Sequence, residues 1–87
     1  MEVRVRFFAA LRERAGATEL VWRVPPQTTV GELWEMIGRE RPALAEFRGS
    51  VAFARNQEYV DSQTPLQDND EVAFIPPVSG GSRAGYV

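Results

Sequence analysis

Apolar and polar positions alternate at the start of the chain, where Val3, Val5 and Phe7 interleave with Arg4, Arg6 and Phe8. A period of two predicts a strand with one buried face. Residues Ala9 to Ala15 read as a short helix, closed by Gly16 in the left-handed position that follows many helices. Thr18 to Val24 predicts a second strand, with Leu20, Trp22 and Val24 on one face, and Pro25-Pro26 stops it.

The clearest helix follows. Thr29-Val30-Gly31-Glu32 fits a capping box, in which hydroxyl and carboxylate each satisfy a free amide of the first turn. Val30, Leu33, Trp34 and Ile37 then fall at i, i+3, i+4 and i+7, one apolar stripe. Pro42 prevents continuation, and Ala43 to Phe47 adds a short helical turn before Gly49. Val51 to Arg55 and Glu58 to Val60 flank Asn56-Gln57 as a hairpin. Thr64 to Asp70 is rich in turn formers, with Asn69 placed for a positive φ. Glu71 to Ile75 is the last strand, stopped by Pro76-Pro77, and Val78 to Val87 reads as a flexible C-terminal tail.

This order of elements, joined by short connections, predicts one mixed sheet of about five strands with the main helix across one face, an α+β fold. The helix covers one face only. Phe8, on the side of Arg4 and Arg6, is then an apolar residue on the uncovered face. Ile75 and Ala73 lie on the opposite side of their strand from Val72 and Phe74. If the first and last strands are neighbours, Phe8 and Ile75 form a patch at the root of the tail, and Tyr59 can join it. Such a patch reads as a partner-docking surface rimmed by arginine. Two other readings stand beside it: scattered surface hydrophobes, or the short helix folded over Phe8.

Composition narrows the chemistry. Eighty-seven residues and 9.8 kDa make one domain. There is no Cys and no His, and all ten basic residues are Arg. Thiolate chemistry, a histidine base and a lysine Schiff base are therefore excluded. Ser50, Ser62, Ser79 and Ser82 have no histidine to activate them. Asp68, Asp70 and Glu71 lack the ligand spacing of a calcium loop and read as a solvated turn, so no metal site is expected. A net charge of −2 without a basic block argues against nucleic acid. The longest apolar run, Phe7 to Leu11, is far short of the roughly 20 residues that span a bilayer, so no membrane partner is expected. With no apolar leader at the start, the default compartment is the cytoplasm. The chain is poorly equipped to be an enzyme by itself.

Three stretches together carry a resemblance: Val5-Arg-Phe-Phe-Ala-Ala-Leu-Arg-Glu-Arg-Ala-Gly16, Ala54-Arg-Asn-Gln57, and Leu66-Gln-Asp-Asn-Asp-Glu-Val-Ala-Phe-Ile-Pro-Pro-Val-Ser-Gly-Gly81. They resemble the small subunits of molybdopterin synthase, ubiquitin-like sulfur carriers, over residues 1 to 81. The resemblance implies a β-grasp domain over residues 1–77 and a tail over 78–87 that carries Gly80-Gly81. It implies that the C-terminal glycine is the reactive group. An E1-like adenylating enzyme activates its carboxylate with ATP and Mg, the carrier itself binding no cofactor. A sulfur donor then makes a thiocarboxylate, and the tail delivers sulfur to cyclic pyranopterin monophosphate in the large catalytic subunit. By motif position, partner contacts fall on Phe8, Arg12, Tyr59, Ile75, Pro76, Pro77 and Val78. Glycine lets another protein's backbone close around the tail, and Val78 to Gly81 reaches roughly 13–14 Å when extended.

One departure bears on that chemistry. Ser82-Arg-Ala-Gly-Tyr-Val87 follows Gly81, so the glycine carbonyl is tied up in an amide. Removal of residues 82–87 by a processing protease would free it. A carrier for cysteine, thiamine or tRNA thiolation, and a β-grasp module that carries no sulfur, are the alternative readings.

Overall fold

The computed structural model describes residues 1–77; the expectations placed on Val78, Gly80, Gly81 and residues 82–87 lie outside the described residues. Strand β1 (Glu2–Phe7) is followed by helix α1 (Ala10–Ala15), strand β2 (Glu19–Arg23) and helix α2 (Val30–Glu40). A 3-10 turn (Pro42–Phe47) leads into β3 (Ala52–Arg55), β4 (Glu58–Val60) and β5 (Glu71–Ile75). The sheet order is β2-β1-β5-β3-β4, with β1 and β5 parallel at its centre and every other pair antiparallel. With α2 across one face, this is the expected β-grasp arrangement.

The alternation on β1 becomes a core of Val3, Val5 and Phe7, joined by Val72 and Phe74 from β5 and by Val30, Leu33, Trp34 and Ile37 from α2. Phe74 is the centre of an aromatic cluster, its ring 4.8 Å from Trp34, 5.7 Å from Phe53 and 6.0 Å from Phe7. Offset and edge contacts of this kind add stability beyond the area they bury.

Helix α2 begins as its sequence dictates. Thr29 Oγ1 accepts from the Glu32 amide at 3.2 Å, and Glu32 Oε1 accepts from the Thr29 amide at 3.0 Å. The second residue of the helix, Gly31, is a close-approach site: its amide donates to the Ser62 carbonyl at 2.9 Å, and a Cβ there would meet Ser62 Cβ at 2.9 Å and Ser62 O at 3.0 Å. Gly16 closes α1 at φ 75, as its position predicts. Asn56, Gln57 and Asn69 have φ of 51, 73 and 70, so both tight turns use the left-handed region that Asn tolerates.

Candidate functional site

Phe8 and Ile75 come together because β1 and β5 are parallel neighbours. The register pairs Phe7 with Phe74 on the core face, and the Phe8 amide donates to the Phe74 carbonyl at 3.3 Å. The next residue, Ala9, has φ 52 and ψ −127, a conformation that residues other than glycine rarely adopt. This sharp reversal sends α1 to the core side, where Leu11 and Ala15 are buried, and leaves Phe8 39% exposed on the open face. The helix does not fold over Phe8, and that reading is set aside.

Across the open face, register aligns Arg6, Ala73, Ala54 and Tyr59 in one row over β1, β5, β3 and β4. The two central members are alanines, so the row sinks at its middle. The result is a groove of about 180 Å³ lined by Arg6, Phe8, Ala54, Tyr59, Ala73 and Ile75, with Gln57 and Glu71 at one end. Tyr59 stands at the rim, 76% exposed. The walls are held: Arg6 Nη1 lies 3.1 Å from Glu71 Oε2, and its guanidinium sits 5.3 Å from the centre of the Phe8 ring. An ion pair and a cation–π contact fix one arginine over an apolar floor. Pro76, half-buried, and Pro77, exposed, follow Ile75 directly, so the chain leaves the sheet at the mouth of this groove.

Of the sequence-predicted contacts, Phe8, Tyr59 and Ile75 are thus brought together, with Pro76 and Pro77 at the exit. Arg12 is exposed on α1 and does not line the groove. The sequence reading placed Ala73 on this face but missed Ala54 beside it, and with it the concavity that the two alanines make. Alanine in two strands otherwise rich in β-formers was the available signal.

One expectation is corrected. The Asp68-Asp70-Glu71 segment is not a solvated turn throughout. Asp70 is only 5% exposed and accepts from Asn56 Nδ2 at 2.9 Å and from the Gln67 amide at 2.8 Å. Arg55 Nε lies 2.9 Å from its other face, at ion-pair distance without a directed hydrogen bond. Asp68 Oδ1 accepts from the Glu2 amide at 2.8 Å. These carboxylates are internal acceptors that lock the turn before β5. A wider depression on the helix side, with Trp34, Val51 and Phe53 in its wall, touches neither β5 nor the tail root.

Known proteins resemble this chain in sequence and in fold. A family profile described as the ThiS family matches residues 5–81. The human molybdopterin synthase sulfur carrier subunit is 40% identical over 83 residues, covering 92% of this chain and 94% of the relative. The Escherichia coli subunit of the same name is 43% identical over 83 residues, covering 91% and 99%. Among solved structures, SAMP1 from Haloferax volcanii superposes with a TM-score of 0.83 at 28% identity, covering 93% of this chain and all 100% of that one. A protein–protein complex of subunits 1 and 2 of molybdopterin-converting factor from Helicobacter pylori contains a chain that matches at TM-score 0.68 and 33% identity, covering 93% and 100%.

Proposed function

The chain belongs to the ThiS family, and on that premise we propose that it is the sulfur-carrying small subunit of a molybdopterin synthase. The observation that carries the reading is the concave apolar groove of Phe8, Tyr59 and Ile75 opening where Pro76-Pro77 releases the tail. A partner that grips this face receives the tail in one direction only.

The chemistry belongs to the tail. Once residues 82–87 are removed, the Gly81 carboxylate attacks the α-phosphate of ATP in an E1-like adenylating partner, and pyrophosphate leaves. The terminal sulfur of a donor persulfide then displaces AMP from the acyl carbon, and a second thiol reduces the resulting acyl disulfide, leaving the thiocarboxylate and a donor disulfide. In the large catalytic subunit the thiocarboxylate sulfur bonds to cyclic pyranopterin monophosphate, and water then attacks the acyl carbon, breaking the carbon–sulfur bond and returning the glycine to the carboxylate. The domain supplies docking and direction. It has neither Cys, His nor Lys to take a direct part.

The test uses two forms of the protein, residues 1–87 and residues 1–81. Each is incubated with adenylating enzyme, ATP, Mg and a sulfur donor, and weighed by intact-mass spectrometry. The shorter form gains the mass of one oxygen-to-sulfur exchange and the longer form does not. A Gly81→Val variant of the shorter form fails to release pyrophosphate, because a branched Cβ obstructs the approach that glycine permits. Modification of the 87-residue form at its own Val87 overturns the need for processing. Failure of both forms supports a β-grasp interaction module without sulfur chemistry, the reading that the segment beyond Gly81 favours.

A further inference from the structure

Strand β2 forms one edge of the sheet and, among the described residues, pairs with β1 alone. Its hydrogen-bond phase is fixed at both ends. Met1 and Val24 exchange backbone hydrogen bonds at 2.8 and 2.9 Å, and the Phe7 amide donates to the Thr18 carbonyl at 3.0 Å. Antiparallel pairs alternate between bonded and non-bonded positions. Leu20 and Trp22 therefore turn their peptide groups toward β1, and Glu19, Val21 and Arg23 turn theirs outward. Those same three residues carry exposed side chains on the open face, Val21 at 60%.

We propose that this edge is a self-pairing surface: a second copy of the chain adds its β2 antiparallel to the first about a two-fold axis at Val21. In that register the outward peptide groups of Glu19, Val21 and Arg23 meet those of Arg23, Val21 and Glu19 of the second copy, and all three pairs fall at bonded positions. The side chains agree with the backbone. The two Val21 residues cover each other, and each Glu19 stands opposite an Arg23.

The charge pattern continues beyond the edge. Within one copy, Glu19 is registered against Arg6 and Arg23 against Glu2. Pairing thus builds a row Arg6–Glu19–Arg23–Glu2 that alternates in sign across the junction, twice over. Opposite charges at directly facing strand positions are favourable, and like charges are not. Charges on an edge strand ordinarily deter association. Here their order opposes parallel pairing, which sets Glu against Glu, and favours the antiparallel two-fold. The opposite edge, β4, has only three residues. Since the two-fold runs perpendicular to the sheet, both open faces look the same way, and no β2 residue lines the groove of Phe8 and Tyr59. Self-pairing and partner docking are compatible.

Five residues of paired edge bury less than a standard stable interface, so the dimer is weak, with a dissociation constant on the order of 100 µM. Sedimentation equilibrium of the full chain from ~10 µM to ~1 mM is expected to show a monomer–dimer equilibrium that weakens with salt. Val21→Pro removes an outward amide that the monomer does not use, so the fold survives and the dimer weakens at least tenfold. Arg23→Glu, which sets like charges face to face, does the same. Adding Glu19→Arg to Arg23→Glu restores the dimer. A chain that is monomeric at the top concentration overturns the proposal, as does a dimer indifferent to both Arg23→Glu and Val21→Pro in variants with native circular dichroism. Should Val21→Pro fail to fold, the charge reversal and its rescue decide alone.

Discussion

Asn56 Nδ2 donates to Asp70 Oδ1 at 2.9 Å, joining the β3–β4 turn to the residue immediately before β5. The contact is part of a closed set. Asn56 Oδ1 accepts from the Glu71 amide at 3.0 Å, the Asn56 amide donates to the Glu71 carbonyl at 2.7 Å, and Asp70 Oδ2 faces Arg55. Two turns with left-handed residues are tied to each other, and the strand that leads to the tail starts from that knot.

Asp70→Ala is expected to lower unfolding free energy by about 3 kcal/mol. It strands Asn56 Nδ2, the Gln67 backbone amide and the half-buried Arg55 guanidinium together. Urea denaturation measures it. A loss under about 1 kcal/mol, ordinary for a surface change, would mean the knot is not structural.

Phe8→Ala and Ile75→Asp are each expected to weaken binding to the large catalytic subunit about thirtyfold, near 2 kcal/mol, by removing an anchor or charging an apolar floor. Titration calorimetry reads the affinity, and circular dichroism confirms the fold. Unchanged affinity in both variants would move the docking surface elsewhere.

Two glycines of α2 respond with opposite signs. Gly38→Ala meets nothing within 4 Å and gains about 0.5–1 kcal/mol from helix propensity. Gly31→Ala drives a Cβ against Ser62 and loses about 1–2 kcal/mol net of the same propensity gain. Thermal unfolding of the pair provides an internal control. Stabilisation by both substitutions would show that the Ser62 loop yields freely.

Ala9→Gly relieves a residue held at φ 52. It is expected to stabilise the domain by about 1 kcal/mol, raising Tm by roughly 4–8 °C. An unchanged or lower Tm refutes strain at this position.

Much of this was legible locally. The Val3-Val5-Phe7 alternation, the Thr29–Glu32 box, Gly16, and the positive φ of Asn69 each follow from the nearest few residues. What was not legible depended on distant pairing. The β1–β5 neighbourhood that unites Phe8 with Ile75 entered only as a condition, since strand order is settled by packing between residues some 70 apart in sequence. Ala9 gave no sign of its backbone conformation, because alanine is not the residue such geometry prefers. Asp70 looked solvated because carboxylates usually are. Its burial depends on Arg55 and Asn56, which reach it only after the hairpin has formed.

The parallel pairing of β1 with β5 also sets an order of events during synthesis. The second strand of the chain to be central is the last strand made, so Val3, Val5 and Phe7 have no central partner until residues 71–75 emerge. Contacts of such long sequence separation slow folding and postpone it. A nascent chain stalled before β5 exposes its apolar face and is open to degradation. The strand that completes the core is also the one that Pro76-Pro77 follow directly, beside the groove. Folding thus acts as a check on length: the domain becomes stable only in chains long enough to include β5, the strand from which the tail departs.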